Sequence, residues 1–539
     1  MRLVHKFHTY KHIICFTDTF SLYNLLLVLM DLSYCVAILL GAVFLILFIM
    51  VSSLTNKNRT PRNWPILGVM PAMIGNTGRL LDWLVLVMEK EGCTLELKGS
   101  WLFPQEIIFT ADPSTVQYTS STNFSNFRRG PKSQELFDIF GVGMFNTESE
   151  EWMTHRRTLR GFLNRKRFKD VSTRAVLDKV HNGLLSVLDD AASVVSTIGH
   201  GETLDLQEVF QRYTYDLTHF MTNGEDPKTL SVQWPDVPFV RSLNTALEAV
   251  FLRHLLPERV WKLQRMIGIG KERVHTESKK FMDSFAAQML SMKLKKIGIQ
   301  KDEQNHDLLT AYMADENDQS FTSDYEVLHG TTLGIFLAGK DTTSATLTWF
   351  FWLLAQNPSV MQKIKEELGK NIPMNKVNKP HLFSQEELSK LIYLQASLLE
   401  TLRLYPPVPY QTRSAIEPDD LPTGHKVIPG RTMIIISLFV MARMTSLWGN
   451  DCKEFKPERW ITEQGEIKHE PSHKFFSFNS GPRMCIGKEL AMTEMTAASA
   501  AIIHNYDVEI LNANAVRPVK SIILRIEGGL HAKLTRRWI

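Results

Sequence analysis

The chain has 539 residues, of which 61 are Lys or Arg and 57 are Asp or Glu, so its formal net charge at pH 7 is only +4. This mild charge gives no indication of a nucleic-acid-binding surface, and 44% hydrophobic with 22% charged residues is typical of a folded globular protein. The five cysteines are odd in number and widely spaced, which argues against a disulfide framework and against structural zinc.

The N-terminal region predicts a membrane anchor ahead of one large domain. Residues 32–54 carry no charged side chain and are long enough to cross a bilayer as one helix, which needs about 20 residues. Basic residues directly after this run favour a cytosolic body. Residues 1–31 form an extension with competing positive charge, so we hypothesise that Met30 rather than Met1 is the natural start. Residues 55–71 predict a proline-rich hinge, and residues 72–539 predict a single catalytic domain.

The body is expected to be mainly α-helical with small β-sheets, an α+β arrangement in which the two kinds of element are segregated. Residues 94–98 and 106–110 predict strands. Apolar residues at helical spacing predict helices over residues 178–194, 243–266, 270–294, 327–356 and 385–404. Turns and short strands are expected over residues 408–437. A loop around Cys485, a helix ending near His504 and a β-rich tail complete the prediction.

The segment around Cys485 carries the strongest chemical signal and reads FNSGPRMCIG from Phe478 to Gly487. A thiolate ligand needs backbone N–H groups directed at its sulfur and a positive charge nearby. Gly481 can form a tight turn, and Arg483 can pair with a carboxylate of a cofactor. Phe478 can exclude water from the sulfur, and Gly487 lets the following helix approach a flat macrocycle. The pattern therefore favours a metal-binding thiolate over a buried structural cysteine.

The long helix predicted over residues 327–356 is interrupted at its middle by Gly339 and Thr342. A threonine hydroxyl can donate to a carbonyl in the preceding turn and loosen the helix there, which opens a groove for dioxygen and water. Proton delivery into such a groove requires a hydroxyl and an acid within reach. The alternative interpretation is a buried threonine that only bonds to its own helix.

Two weaker patterns accompany these motifs. Glu400 and Arg403 are three residues apart and can form an ion pair on one face of a helix. Trp152 and Arg156 are one helical turn apart and can point to the same side. Alone, each pattern carries little information, because most such pairs lie on solvated surfaces.

Together, the motifs resemble those of the cytochromes P450, in the family's order, from about Pro61 to the C-terminus. The loop matches the family's heme-binding signature, F-x-x-G-x-R-x-C-x-G. The resemblance implies the cytochrome P450 fold and a heme b whose iron is bound by the Cys485 thiolate, a ligand that favours O–O cleavage. It also implies that Thr342 is the hydroxyl of oxygen activation and Asp341 the acid.

The same resemblance assigns further residues to the cofactor, the core and the substrate pocket. Residues expected to bond a heme propionate are Trp152, Arg156 and Arg413. Residues expected to form a buried network that holds the heme-side core are Glu400, Arg403 and Arg459. Residues expected to line the substrate pocket, below a roof near residues 124–144 and 243–256, are Leu337, Ala338, Thr343, Val408, Pro409 and Tyr410.

The sequence around the motifs is most similar to the fatty-acid and alkane hydroxylase branch of plant cytochromes P450. Segments that carry this similarity include ETLRLYPPVP and HEPSHKF. Within that branch it resembles the mid-chain alkane hydroxylases of cuticular wax. One departure is Lys340, where arginine is usual, which preserves the charge but not the planar fork. The likeness implies a monooxygenase of long-chain alkanes or fatty acids in the endoplasmic reticulum membrane, with its catalytic domain in the cytosol.

The chain has no flavin or dinucleotide motif, so a separate protein must supply electrons. The resemblance implies NADPH–cytochrome P450 reductase, which would dock near Cys485, where Lys474, Arg483 and Lys488 add positive charge. Three other interpretations stay open: an oxidase of a non-lipid secondary metabolite, including oxidative coupling, a heme-thiolate isomerase of lipid hydroperoxides, and a non-catalytic heme-binding protein. The acid–threonine pair counts against the isomerase.

Overall fold

The computed structural model describes residues 68–98, 105–198, 203–299, 307–313, 325–372 and 379–538, together with Val36, residues 39–45 and Pro61. The extension over residues 1–31, most of the anchor predicted over residues 32–54 and most of the hinge over residues 55–71 lie outside the described residues. Within the described ranges, no helix is both long enough and apolar enough to span a bilayer.

The described body is mainly helical, as the sequence predicts. The helices up to residue 299 are α1 (Met70–Gly75), α2 (Leu80–Glu91), α3 (Pro113–Gln117), α4 (Pro131–Leu136), α5 (Ser149–Leu163), α6 (Lys166–Lys179), α7 (Leu185–Ile198), α8 (Leu206–Asn223), α9 (Pro238–Leu255), α10 (Glu258–Ile267) and α11 (Gly270–Ile299). The helices after it are α12 (Leu308–Met313), α13 (Tyr325–Phe336), α14 (Thr342–Gln356), α15 (Pro358–Asn371), α16 (Gln385–Ser389), α17 (Ile392–Leu404), α18 (Leu438–Met441), α19 (Thr445–Trp448) and α20 (Lys488–Asn505).

The strands form small sheets at the edge of this helical body. They are β1 (Thr94–Leu97), β2 (Glu106–Thr110), β3 (Phe127–Arg128), β4 (Leu204–Asp205), β5 (Tyr410–Ala415), β6 (Asp419–Asp420), β7 (Lys426–Val427), β8 (Thr432–Ser437), β9 (Tyr506–Ile510) and β10 (His531–Arg536). The largest sheet has the order β1-β2-β8-β5-β3, in which β2 and β8 are parallel and pair Ile108 with Ile434. Because β3 and β5 pair at its end, the sheet brings residues near 128 beside Arg413.

Two predicted helices are each divided in the structure. The helix predicted over residues 243–266 becomes α9 and α10, because Leu256 is extended, with φ −94° and ψ 146°, and Pro257 follows it. A proline disfavours the helical conformation of the residue before it, so the helix ends there. The helix predicted over residues 385–404 likewise separates into α16 and α17.

The interruption predicted in the long central helix is a π-helical turn. Residues Leu337–Asp341 form this turn between α13 and α14. The Thr342 hydroxyl donates to the Ala338 carbonyl at 2.7 Å, as the sequence predicts for a loosened turn. Helix α8 passes so close here that a Cβ atom at Gly339 would lie 2.6 Å from Thr218 Oγ1. The small residue and the widened turn therefore leave one side of the helix open.

The structure brings Glu400, Arg403 and Arg459 together in the core. Arg403 donates from Nε and Nη2 to the two carboxylate oxygens of Glu400, each at 2.7 Å, and both side chains are buried. The indole N–H of Trp460 donates to the same carboxylate at 2.8 Å, the backbone N–H of Lys456 at 3.0 Å and Arg459 Nε at 3.4 Å. This carboxylate joins α17 to the chain that leads into the cysteine loop.

We predict that Arg403→Met lowers the free energy of unfolding by about 3–5 kcal/mol, because the charge of Glu400 would stay buried with its main partner removed. Urea denaturation of both proteins measures this loss. The matched control is Lys390→Met, which removes a solvent-exposed pair with Glu386 and should change the denaturation midpoint far less. Equal losses in the two variants would contradict a central role for the Glu400 network.

Candidate active site

Cys485 lies in a loop that begins at the 3₁₀-helix Phe476–Phe478 and leads into α20. The backbone N–H of Cys485 donates to the carbonyl of Phe478 at 2.8 Å. Arg156, on α5, donates from Nη2 to the carbonyl of Met484 at 2.5 Å. The loop is therefore fixed on both sides of the cysteine.

The glycines of the loop have two different functions. Gly481 has a φ of +61°, and a Cβ atom there would lie 1.9 Å from the carbonyl oxygen of Ser120. The turn predicted at this position consequently admits only glycine. A Cβ atom at Gly487 would meet no heavy atom within 4 Å, so this glycine borders open space.

Cys485 lines a cavity next to the loop. Burial raises the pKa of the Cys485 thiol, while the N–H of Gly487 and the positive charges of Arg156 and Lys488 act in the opposite direction. A thiol in such a place keeps its proton at neutral pH unless a metal ion replaces it. The environment thus suits a metal ligand better than a free nucleophile.

Arg129, Arg413 and Arg483 form a cluster of guanidiniums beside the loop. Arg483 Nη2 pairs with Glu148 Oε2 at 2.5 Å, and its side chain is only 8% exposed. Desolvation lowers the pKa of Arg129 and of Arg413 to about 10, and that of Arg483 to about 9. Their mutual repulsion adds to this effect, and the charge of Glu148 opposes it.

The charge balance of this cluster indicates which kind of cofactor the site can hold. Three positive charges share the carboxylate of Glu148, and a surplus of enclosed positive charge is unfavourable unless an anion balances it. A flat macrocycle with two carboxylates, placed against Gly487 and below the sulfur of Cys485, would supply that charge and fill the open space. The charge, the open space and the thiol all fit a heme.

The structure places Trp152 and Arg156 on one side of α5, as the sequence predicts. The guanidinium of Arg156 lies 5.6 Å from the Trp152 ring centroid, and that of Arg483 lies 4.2 Å from it. Neither Trp152 nor Arg156 lines the cavity. Arg413 is also behind the cavity wall, where its Nη2 donates to Asn479 Oδ1 at 3.4 Å. These residues support the loop and the cluster from behind.

The cavity in front of Cys485, here called the inner cavity, has a volume of about 370 Å³. Predicted site residues that line it are Leu337, Ala338, Thr342, Thr343, Val408, Tyr410, Phe478, Arg483, Cys485 and Gly487. The roof expected from residues 124–144 and 243–256 contributes Phe137, Met144 and His254. Pro409, predicted for the same pocket, is not among the described residues that line this cavity. Its carbonyl bonds the N–H of Leu438 at 2.9 Å, and its side chain lines a neighbouring cavity.

Asp341 does not line the inner cavity, although the adjacent Thr342 does. The Asp341 side chain is fully buried and bonds Lys340 through Oδ1, while Oδ2 has no hydrogen-bond partner in the described part of the chain. Adjacent residues on a helix face different directions, so the hydroxyl and the carboxylate point apart. Burial lowers the pKa of Lys340, and its charge pair with Asp341 opposes that shift.

Sequence reasoning missed three residues of the site. Glu494 lies on α20, lines the inner cavity and bonds Thr343, and burial raises the pKa of its carboxyl to about 8. Arg129 and Glu148 complete the guanidinium cluster. The adjacent basic residues at 128 and 129 were the only sequence signal, because the burial of Glu494 depends on packing between distant segments.

Comparisons with known proteins agree with this geometry. The cytochrome P450 family model matches residues 59–531. Alkane hydroxylase MAH1 of Arabidopsis thaliana is 37% identical over 486 residues, which cover 88% of this chain and 93% of that protein. Noroxomaritidine synthase of Narcissus aff. pseudonarcissus MK-2014 is 36% identical over 501 residues, or 92% and 95% of the two chains. Cytochrome P450 86B1 of Arabidopsis thaliana is 34% identical over 486 residues, or 88% and 85%.

Glu494 should make stability depend on pH. Its pKa rises from 4.5 to about 8 on folding, so the folded protein keeps a proton that the unfolded chain releases between these values. Stability falls with rising pH wherever the folded state binds more protons, by up to about 1.4 kcal/mol per pH unit for one group. In Glu494→Gln, the midpoint of thermal unfolding should therefore fall less across this pH window than in the wild type.

The matched control for this measurement is Glu489→Gln, on the same helix but exposed to solvent. It should keep the pH profile of the wild type. A Glu494→Gln profile parallel to that of the wild type would show that Glu494 ionises in the folded protein as it does in the unfolded chain.

Proposed function

This chain belongs to the cytochrome P450 family, and we propose that it hydroxylates long-chain alkanes or fatty acids. As a monooxygenase of this family it uses dioxygen, a heme and electrons from a redox partner. The inner cavity carries the proposal, because mainly apolar side chains, among them Met144, Leu337 and Val408, surround the space in front of Cys485. An apolar, concave site of this kind suits an alkyl chain. The 37% identity to a protein named alkane hydroxylase supports the same substrate class.

A bound heme would supply the activation of dioxygen, one atom of which enters the substrate while the other leaves as water. The thiolate of Cys485 would hold the iron and supply electron density to it. Arg129 and Arg483, which line the cavity, would orient the macrocycle by pairing with its carboxylates, and Arg413 adds positive charge from behind the wall. Phe478 covers the sulfur side and keeps water from it.

Protons for this reaction reach the cavity at Thr342. Its hydroxyl donates to the Ala338 carbonyl, so its oxygen can accept a hydrogen bond from water in the widened turn. Asp341 is the proposed acid, and its Oδ2 has no hydrogen-bond partner in the described part of the chain. Glu494 holds a second proton at the cavity wall, because burial keeps its pKa near 8.

A non-lipid substrate is the second candidate. Noroxomaritidine synthase is 36% identical to this chain over 92% of its length, almost the identity of the alkane hydroxylase. The carboxyl of Glu494 and the hydroxyls of Thr342 and Thr343 give the inner cavity polar groups that a more polar substrate could bond.

The function is tested by product analysis with membranes that carry this chain, NADPH and a plant reductase. We predict alcohols from long-chain alkanes, or hydroxy acids from fatty acids. In Thr342→Ala, the alcohol formed per NADPH oxidised should fall about tenfold or more, because proton delivery is impaired. The reduced-CO spectrum should persist in this variant and should be lost in Cys485→Ser.

Thr346→Ala is the matched control, since Thr346 also lines the inner cavity one turn further along α14. It should keep the coupling of the wild type. Equal coupling in the two threonine variants would exclude the role of Thr342. A normal CO spectrum without product from alkanes or fatty acids would exclude the lipid substrates and favour the second candidate.

We also propose that the chain is a single-pass protein of the endoplasmic reticulum membrane with a cytosolic body, on the basis of residues 32–54. NADPH–cytochrome P450 reductase is the proposed partner, docking beside Cys485. Arg483 does not contribute to that surface, because it is enclosed and paired with Glu148. Lys474 is likewise paired, with Glu470 at 2.9 Å, so Lys488 and the exposed Arg160 remain as its positive charges.

The anchor predicts that full-length protein stays in the pellet when membranes are washed with alkaline carbonate, because only a spanning segment resists this treatment. Deletion of residues 1–54 should move the protein toward the supernatant, with its CO spectrum intact. Release of the full-length protein by the wash would contradict a spanning segment.

A further inference from the structure

A second cavity, here called the outer cavity, adjoins the inner one and has a volume of about 650 Å³. Its walls are α1 and α2, the β1–β2 hairpin, the end of α9 and residues 517–528. Apolar side chains such as Leu97, Phe109 and Leu252 line it. His254 and Tyr410 line both cavities, so the two spaces meet at these side chains.

His254 and Tyr410, together called the waist, separate the cavities with aromatic rings. Their ring centroids are 6.0 Å apart at an interplanar angle of 65°, and Phe137 stacks edge-on against His254 at 5.7 Å. His254 Nδ1 donates to the Val250 carbonyl at 2.8 Å; burial lowers the pKa of the ring, and this hydrogen bond opposes the shift. Burial raises the pKa of Tyr410 above its usual value, so the phenol stays neutral.

The Tyr410 hydroxyl is buried and has no hydrogen-bond partner within the described ranges. The waist therefore offers aromatic faces and this one hydroxyl, but no charged group, to a passing molecule. A carboxylate would lose its hydration there without gaining a charged partner, whereas an alkyl chain loses nothing. The end of a substrate that passes the waist should be apolar.

Helices α9, α10 and α11, which lie above the inner cavity, are joined to Asp138 by a cluster of charged side chains. Arg253, near the end of α9, bonds Glu272 of α11 at 2.7 Å and Asp138 at 2.8 Å. Arg265 of α10 bonds the same two carboxylates at 3.2 and 3.0 Å. Separating these elements would leave buried charges without their partners, which is unfavourable in free energy. The outer cavity meets the inner one at His254 and Tyr410, so a molecule that spans both leaves this cluster intact.

Size favours the use of both cavities by one substrate. A methylene group takes about the space of a water molecule, roughly 30 Å³, so the outer cavity holds on the order of 20 methylenes. The inner cavity must hold the macrocycle next to Cys485 as well as the reacting carbon. A very long chain that reacts there has to leave most of its length elsewhere.

We infer that the outer cavity is a binding site for the remote part of a long, unbranched alkyl chain, which threads between His254 and Tyr410 while its reacting carbon lies in the inner cavity. This inference rests on the proposed lipid function and deepens it, because it makes the waist a determinant of chain length and shape. Chains with a branch at the waist are excluded by the two rings.

The test is a binding titration of the ferric enzyme, followed by its absorbance, with octane and with hexacosane in detergent micelles. Tyr410→Trp narrows the waist, and Leu252→Trp fills the outer cavity without lining the inner one. Each methylene removed from an apolar site weakens binding by roughly fourfold. Both variants should therefore bind hexacosane at least about tenfold more weakly. Leu252→Trp, which does not line the inner cavity, should leave the affinity for octane unchanged.

Leu263→Trp on the exposed face of α10 is the control, since Leu263 lines neither cavity and is 52% exposed. It should bind both alkanes as the wild type does. A CO spectrum of normal amplitude verifies that each variant is folded, and Leu252→Trp keeps the test decisive if Tyr410→Trp loses its heme.

The outcomes separate the inference from the function. Wild-type binding of hexacosane that neither cavity variant weakens, or equal weakening of both alkanes in Leu252→Trp, would overturn the inference and leave the lipid function standing. Absence of binding of either alkane by the wild type, with a normal CO spectrum, would overturn the alkane function together with the inference. Selective loss of hexacosane binding supports both.

Discussion

The position of the cysteine loop depends on one buried carboxylate, that of Glu400. Five donors from α17 and from the segment before the loop converge on it, including both ends of the Arg403 guanidinium. Its partner Trp460 packs against Phe475, with ring centroids 4.6 Å apart, and Ser477 Oγ donates to the Leu402 carbonyl at 2.7 Å. A buried carboxylate is tolerated only when its charge and lone pairs are satisfied, so the network permits one arrangement of these segments.

The site that this network supports is electrostatically incomplete by itself. The guanidiniums of Arg129, Arg413 and Arg483 are enclosed with Glu148 as their shared carboxylate, and the Cys485 thiol is held where burial favours its neutral form. A ligand with two carboxylates and a metal ion would neutralise the enclosed guanidiniums and would also bind the sulfur of Cys485 as a thiolate. Binding of such a ligand to the folded chain alone also stabilises the fold, which links cofactor retention to stability.

The central helix divides its functions between two faces. The π-turn at Leu337–Asp341 and the close approach of α8 at Gly339 direct Thr342 toward the inner cavity. Asp341 does not face the inner cavity and pairs with Lys340 through Oδ1, while its Oδ2 has no hydrogen-bond partner in the described part of the chain. The waist then controls which molecules reach the hydroxyl.

The sequence alone determined the family, the ligand and the mainly helical fold, because these follow from local patterns. A cysteine between Gly481 and Gly487, a glycine and a threonine within an apolar helix, and Glu400 one turn from Arg403 are each readable from spacing. The break between α9 and α10 was also encoded locally, at Pro257, although periodicity alone joined the two helices.

Only the tertiary structure decided which side chains face the cavities. Glu494 is nine-tenths buried against Thr343, Pro409 turns to the outer cavity, Asp341 turns away from the inner one, and Tyr410 stands beside His254. Each of these placements joins segments that are far apart in the chain. Periodicity predicts that a residue is buried but not what it is buried against, since that depends on how the helices and the sheet pack together.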